Sequence, residues 1–249
     1  PSLIKWVHLQ GEYNIIYRRM SERKGHFMNA DMLRSQFESY EKPDYGIFLN
    51  IDQDIKDIIL QISASIEISK SEVGLIGLGV MGTSLARNIS RNGFTLSIYN
   101  RHLEGIEDKK KKKMVDQFPE LEFSKPFDDL EKFVASLALP RKIILMVNAG
   151  KAVDDVIGKL VPLLQAGDII IDGGNSHYKD TGSRQKKLIA SGVHFVGTGV
   201  SGGAEGALWG PSIMPGGSKQ GFELVKDVLL AIAARNELNE ICCDYIGDD

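Results

Sequence analysis

Two rhythms of apolar and polar positions run along the chain. From residue 72 onward, short continuous apolar runs alternate with stretches of helical spacing. "EVGLIGLG" predicts a strand and a turn, and "MGTSLARNISRNG" a helix stopped by Gly93. "TLSIYN" and "KIILMVNAG" read as strands, "AVDDVIGKLVPLLQAG" as a helix and "DIIIDGGN" as another strand. "YKDTGSRQKKLIASG" then reads as a helix, and "VHFVGTGVSGG" as a strand and loop. Alternation of this kind predicts a doubly wound parallel sheet covered on both faces, an α/β Rossmann-like fold.

The first seventy residues follow a different order. Leu3 to Leu9 reads as a strand, and "EYNIIYRRMSER" as a helix with Ile15, Ile16 and Met20 on one side. A short helix capped by Asn29 or Asp31 is expected before Pro43. "GIFLNID" reads as a second strand. "DQDIKDIILQISASIEI" reads as an amphipathic helix, with Ile55, Ile58, Ile59, Ile62 and Ile66 apolar. The polar joint "SKSE" places a domain boundary near Lys70, giving segments 1–70 and 71–249.

Composition narrows the function classes. A net charge of -3 offers no bulk basic surface for nucleic acid. No apolar run reaches the roughly 20 residues of a membrane helix. The start carries no basic region followed by an apolar core, so no signal peptide is expected. The two cysteines, Cys242 and Cys243, are adjacent, which points to a reducing, cytoplasmic compartment rather than a disulfide. The run Lys109 to Lys113 reads as a solvated helix end or loop. The abrupt ends at Pro1 and Asp249 lead to the expectation that the sequence is a piece of a longer protein.

The candidate chemistry lies in a glycine turn. Gly77, Gly79 and Gly82, with Leu78, Val80 and Met81 between them, give G-x-G-x-x-G between a strand and a helix. The first glycine permits the turn, the second lets backbone approach a pyrophosphate, and the third lets helix and strand pack closely. The helix start offers unpaired N–H groups to phosphate. The next strand ends in Asn100, Arg101 and His102, with no carboxylate to bind a ribose 2′-hydroxyl. An arginine there forks onto a 2′-phosphate, so the expected cofactor is NADP.

Beyond the turn, "IILMVNAGKAVDDVI", "GDIIIDGGNSHYKDT" and "FVGTGVSGGAEGALWGPSIMPGG" resemble 6-phosphogluconate dehydrogenase, the decarboxylating enzyme of the pentose phosphate pathway. The resemblance spans about residues 72–249. It implies that Val147, Asn148 and Ala149 lie along the cofactor. It also implies that Asn175 touches both nicotinamide and 6-phosphogluconate, and that Ser201, Gly202 and Gly203 hold the substrate's carboxylate end. On the residues themselves, Asp-Gly-Gly-Asn is equally a good turn. His102 stands where the family usually has Thr, and Asn148 where it has Lys. His177 and His194 read as ordinary strand-edge residues rather than bases or metal ligands, and no metal site is expected. In the family, "DYIGDD" leads into a helix that brings the general-base lysine and general-acid glutamate, and a helical domain forms the homodimer. Neither catalytic residue is expected in this chain, so binding without turnover is expected of it alone. The alternative, another β-hydroxyacid dehydrogenase, would not usually pair "DGGNS" with "GPSIMPGG".

"RKGHFMNADMLRSQFESYEKP", with its flanks, resembles the C-terminal half of gluconokinase, a phosphate-loop kinase acting on ATP and gluconate. The resemblance implies a partial α/β kinase-like segment over about residues 1–68. Arg19, Arg23 and Lys24 would then close over ATP phosphates, and His26 would serve as a structural contact. No G-x-x-x-x-G-K-[ST] occurs in the chain, so kinase activity is not expected. A fusion of the two would run consecutive steps.

Overall fold

The computed structural model describes residues 6–23, 30–65, 70–100 and 117–248. The chain divides into two compact units, residues 1–69 and 70–249.

In the first unit, strand β1 (Val7–Gln10) is followed by helices α1 (Tyr13–Glu22) and α2 (Leu33–Glu38), strand β2 (Ile47–Asn50) and helix α3 (Ile55–Ser65). β1 and β2 pair in parallel, Val7 opposite Ile47 and Gln10 opposite Asn50. The expected strand from Leu3 appears only as Val7–Gln10, because residues 1–5 lie outside the described residues. Asp31 lies within the 3₁₀ turn Ala30–Met32, ahead of α2 rather than at its cap position. Met32 stands at the α2 cap without a side-chain bond, because Ala30–Met32 form a single 3₁₀ turn that leads directly into the helix. Asn29 lies outside the described residues.

The second unit is built on one sheet. Its elements run β3 (Val73–Ile76), α4 (Val80–Arg91), β4 (Leu96–Tyr99), β5 (Lys125–Phe127), α5 (Leu130–Ala135), β6 (Lys142–Leu145), α6 (Lys151–Leu160), β7 (Ile169–Asp172), α7 (Tyr178–Ile189), β8 (His194–Ser201), α8 (Gly203–Trp209), β9 (Ser212–Gly217) and α9 (Lys219–Ile232). The strand order is β5-β4-β3-β6-β7-β8-β9. The order reverses between β3 and β6, the switch point where such sheets open a crevice at their carboxyl ends. One expectation is corrected. The sheet is parallel only as far as β8, because β9 returns antiparallel along it from Ser212 opposite Ser201 to Gly217 opposite Val196. The seven-residue helix α8 is too short for a crossover to a parallel strand, so the chain doubles back.

Continuous apolar strands follow from burial on both faces. Val73, Leu75 and Ile76 of β3, Ile143 to Leu145 of β6 and Ile169 to Ile171 of β7 are all buried. On one face α4 contributes Leu85, Ala86 and Ile89, and α9 contributes Phe222, Val225, Val228, Leu229 and Ile232. On the other, Phe133 and Val134 of α5 pack with Val153 and Leu160 of α6 and Leu188 of α7. The buried amide of Asn88 on α4 donates to Ala207 O at 3.1 Å and Ile232 O at 2.9 Å. It thereby ties α8 and α9 to the helix behind the glycine turn.

Phe133 is fully buried, its ring centroid 5.7 Å from that of Tyr99 and 6.2 Å from that of Phe127. Gly74 in β3 makes room for it, since a Cβ there would lie 2.7 Å from Phe133 Cζ. Phe133→Ala is therefore expected to cost about 3–5 kcal/mol, because it empties a space the backbone cannot close. Urea unfolding of the full chain, followed by the fluorescence of Trp209 in a Trp6→Phe background, measures this. A loss under about 1 kcal/mol would show that the site collapses instead.

Candidate functional site

The glycine turn is shaped by contacts rather than by composition. β3 ends at Ile76, and Gly77 turns with φ +100°. A Cβ on Gly77 would strike the carbonyl oxygen of Met146, at the end of β6. Gly82, one turn into α4, packs so closely on the Gly77 carbonyl that any Cβ would overlap it. Gly79 differs, because a Cβ there would meet nothing within 4 Å. Two glycines thus serve packing, and the middle one faces open space at the start of α4. Leu78 N donates to Asn100 Oδ1 at 3.5 Å, linking the turn to the end of β4.

That space is a cleft of about 380 Å³ lined by Gly77, Leu78, Gly79, Tyr99, Asn100, Met146, Val147, Asn148 and the inward face of α6. Of the residues expected on the cofactor, Gly77, Leu78, Gly79, Asn100, Val147 and Asn148 therefore share one cavity. Val80 and Met81 belong to the first turn of α4, and Val80 is exposed. Ala149 is exposed beside the cleft without lining it. Arg101 and His102 lie outside the described residues, as do Lys24, His26 and Lys109 to Lys113. Arg19 lies in the last turn of α1 and Arg23 is its cap.

The residues expected on the substrate follow β7 and β8, beside the cleft rather than in it. Asn175 is exposed and holds φ +56°, a left-handed conformation uncommon outside glycine. Its side chain grips the backbone of β8: Nδ2 donates to Val200 O at 3.2 Å, and Val200 N donates to Oδ1 at 2.8 Å. One N–H and one lone pair of the amide are left for another partner. Ser201 ends β8, and Gly202 and Gly203 continue with φ +129° and +63°. All three are exposed. Gly173 and Gly174 let β7 approach β6. A Cβ on Gly173 would lie 2.7 Å from Met146 Sδ, and one on Gly174 would strike Val147 O.

Arg184 holds this edge together, and sequence reasoning did not single it out. Its side chain on α7 is 4% exposed. Nη1 donates to Asp172 Oδ2 at 3.2 Å and Ser176 Oγ at 2.9 Å. Nη2 donates to Gly150 O at 3.0 Å, and Nε to Asp154 Oδ1 at 2.8 Å. Buried Asp172 also accepts from Gly174 N at 3.0 Å and Ser176 Oγ at 2.6 Å. The guanidinium therefore bridges the loop after β6, which carries Val147 to Ala149, and the loop after β7, which carries Asn175. The sequence signal was an arginine two turns into a polar helix, indistinguishable from a solvated one.

Of the two histidines expected at strand edges, His177 corrects the expectation. It caps α7 rather than edging a strand, its Nδ1 accepting from Lys179 N at 3.2 Å, because β7 has already ended at Asp172. His194 begins β8, with Nδ1 3.0 Å from Ser218 Oγ. No group of metal-ligating side chains occurs among the described residues. Burial pushes the Cys243 thiol up to about 11, so it is unreactive near neutrality.

The family model for the NAD binding domain of 6-phosphogluconate dehydrogenase matches residues 72–247. The chain belongs to that family. The NADP(+)-dependent, decarboxylating 6-phosphogluconate dehydrogenase of Bacillus subtilis (strain 168) is 51% identical over 185 residues, 73% of this chain and 37% of that protein. The decarboxylating human enzyme is 46% identical over 186 residues, 73% and 36% of the two chains. The domain thus spans about a third of the length of these relatives. A Plasmodium falciparum 6-phosphogluconate dehydrogenase, solved in its apo form and with NADP+ and 6-phosphogluconate, superposes with a TM-score of 0.64 at 38% identity, covering 70% of this chain and 36% of that one. A 3-hydroxyisobutyrate dehydrogenase from Salmonella typhimurium shares the fold, with a TM-score of 0.54 at 22% identity over 66% of this chain and 54% of that one.

Hydrogen bonding from Arg184, then its charge, holds the Asp154 carboxyl below its ordinary 3.8. A depressed carboxylate adds stability above its unfolded pKa and loses it as pH falls through the lower folded value. Arg184→Met is expected to return the Asp154 titration toward 3.8, read by NMR of its carboxyl carbon. It is also expected to cost about 3–5 kcal/mol of stability, since the carboxylate of Asp172 would stay buried and unpaired. An unmoved titration would contradict the bridge.

Proposed function

We propose that residues 71–249 bind NADP and form the cofactor half of a decarboxylating 6-phosphogluconate dehydrogenase. The observation that carries the reading is Gly79, open to the cleft between two glycines locked in packing. Backbone there can approach a pyrophosphate, and the start of α4 presents N–H groups to it. Leu78, Val80 and Met81 complete the turn. Asn100, Arg101 and His102 end the second strand without a carboxylate, which favours the 2′-phosphate of NADP over the bare hydroxyl of NAD. Bound NADP supplies the hydride acceptor.

This chain's residues supply position. Val147, Asn148 and Ala149 form the edge along which the nicotinamide side would lie. Asn175 keeps one donor and one acceptor for the nicotinamide amide and the sugar acid. The left-handed turn at Gly202 and Gly203, with Ser201, turns backbone N–H groups and a hydroxyl toward the substrate's carboxylate end. Oxidation at carbon three of 6-phosphogluconate, followed by loss of carbon dioxide to ribulose 5-phosphate, is proposed for a longer protein of the relatives' length. For these 249 residues taken alone, the proposal is binding without turnover, with the general base and acid outside them. Its support is the one-third span of the relatives. A homodimer and a cytoplasmic setting belong to the same proposal.

For residues 1–70 we propose a C-terminal gluconokinase-like segment. Its support is the "GHFM…SQF" pattern together with a parallel β1–β2 pair followed by α3. Without a phosphate loop it carries no kinase activity. Arg19, Arg23 and Lys24 would face ATP only in a complete kinase.

Fluorescence titration of the chain with NADPH and NADH, beside an assay of NADPH formation from 6-phosphogluconate, tests the reading. The expected result is tighter binding of NADPH than of NADH and no turnover. Turnover at rates typical of enzymes, about 1 per second or above, would contradict the binding-only role. Absence of NADPH binding would contradict the cofactor assignment.

A further inference from the structure

The cleft has a charged wall that the glycine turn and the strand ends leave unexplained. α6 presents Ala152, Asp155, Val156 and Lys159 to it, the spacing of one helix face. Asp155 is already engaged, with Lys151 Nζ 2.7 Å from both of its carboxylate oxygens. Lys159, one turn further on, is exposed and makes no hydrogen bond or ion pair with any described residue. Among the described residues lining the cleft it is the sole cation.

The rest of the lining indicates what that cation meets. Tyr99 ends β4 and Asn100 follows it, and the end of the second strand is where a dinucleotide fold receives the adenosine ribose. Tyr99, Leu130, Val147 and Val156 give the cleft apolar sides suited to a flat base. A cation at the rim of such a pocket suits an anion carried on the ribose. We propose that Lys159 is a specificity-determining residue, its ammonium pairing with the ribose 2′-phosphate of the cofactor. Lys151 contributes indirectly by neutralising Asp155, which would otherwise repel the same phosphate. The inference rests on the cofactor reading above and adds to it a position far in sequence from the strand end that usually decides between the two dinucleotides.

Because Lys159 is exposed, substituting it leaves the core intact. NADPH and NADH are titrated into the full chain and its Lys159→Ala, Lys159→Glu and Lys159→Arg variants. An exposed charge-assisted contact to a dianion predicts that Lys159→Ala weakens NADPH about five- to tenfold and leaves NADH within about twofold. Lys159→Glu weakens NADPH further, and Lys159→Arg keeps most of the preference. 2′,5′-ADP follows NADPH, and 5′-AMP follows NADH. Equal weakening of both dinucleotides would overturn the inference by placing Lys159 on the shared pyrophosphate. An unmoved preference would overturn it too, while leaving the cofactor reading standing. Failure of the unsubstituted chain to bind NADPH would overturn both.

Discussion

One buried guanidinium sets the geometry of the strand ends. Parallel sheets end in loops that have no reason to agree with one another, since each is an independent excursion of the chain. Here Arg184 reaches from α7 to the loop after β6 through Gly150 O and to the loop after β7 through Asp172 and Ser176. It also reaches Asp154 in the first turn of α6. A buried charge is tolerated only when paired and fully bonded, so the contacts of this cation constrain each other. The loops carrying Asn148 and Asn175 therefore move together or not at all.

The glycines solve a second problem at the same edge. Backbones from β3, β6 and β7 converge more closely than side chains allow. Gly77, Gly82, Gly173 and Gly174 each stand where a Cβ would strike a neighbouring strand end or turn. Gly79 belongs to the same sequence pattern and has the opposite character, with nothing near it. The division agrees with the motif reading, which kept the first and third glycines for turn and packing and the second for the ligand.

Much of the fold was legible because burial on both faces writes itself as apolar runs. β3, β6 and β7 stand where "GLI", "IIL" and "III" announce them. β9 was hidden, because "SIMPGG" contains a proline and two glycines and resembles a loop. β5 was hidden too, being three residues at the sheet edge with its own proline. The glycine turn and the end of β4 stood out as a candidate cofactor site from their spacing. Arg184, Asp172 and Lys159 did not, because their roles arise from loops and helices distant in sequence. A lone charge on a polar helix looks the same whether it ends in water, in a buried bridge or beside a ligand.

The proposed seat for a phosphorylated dinucleotide is made of loop ends held in register by Arg184 and closed by packed glycines. Amide hydrogen exchange with and without NADPH tests it most directly. Slowed exchange is expected at Leu78 to Thr83 and at Val147 to Gly150, with little change in residues 6–65. Slowed exchange confined to residues 6–65, or none at the glycine turn, would contradict it.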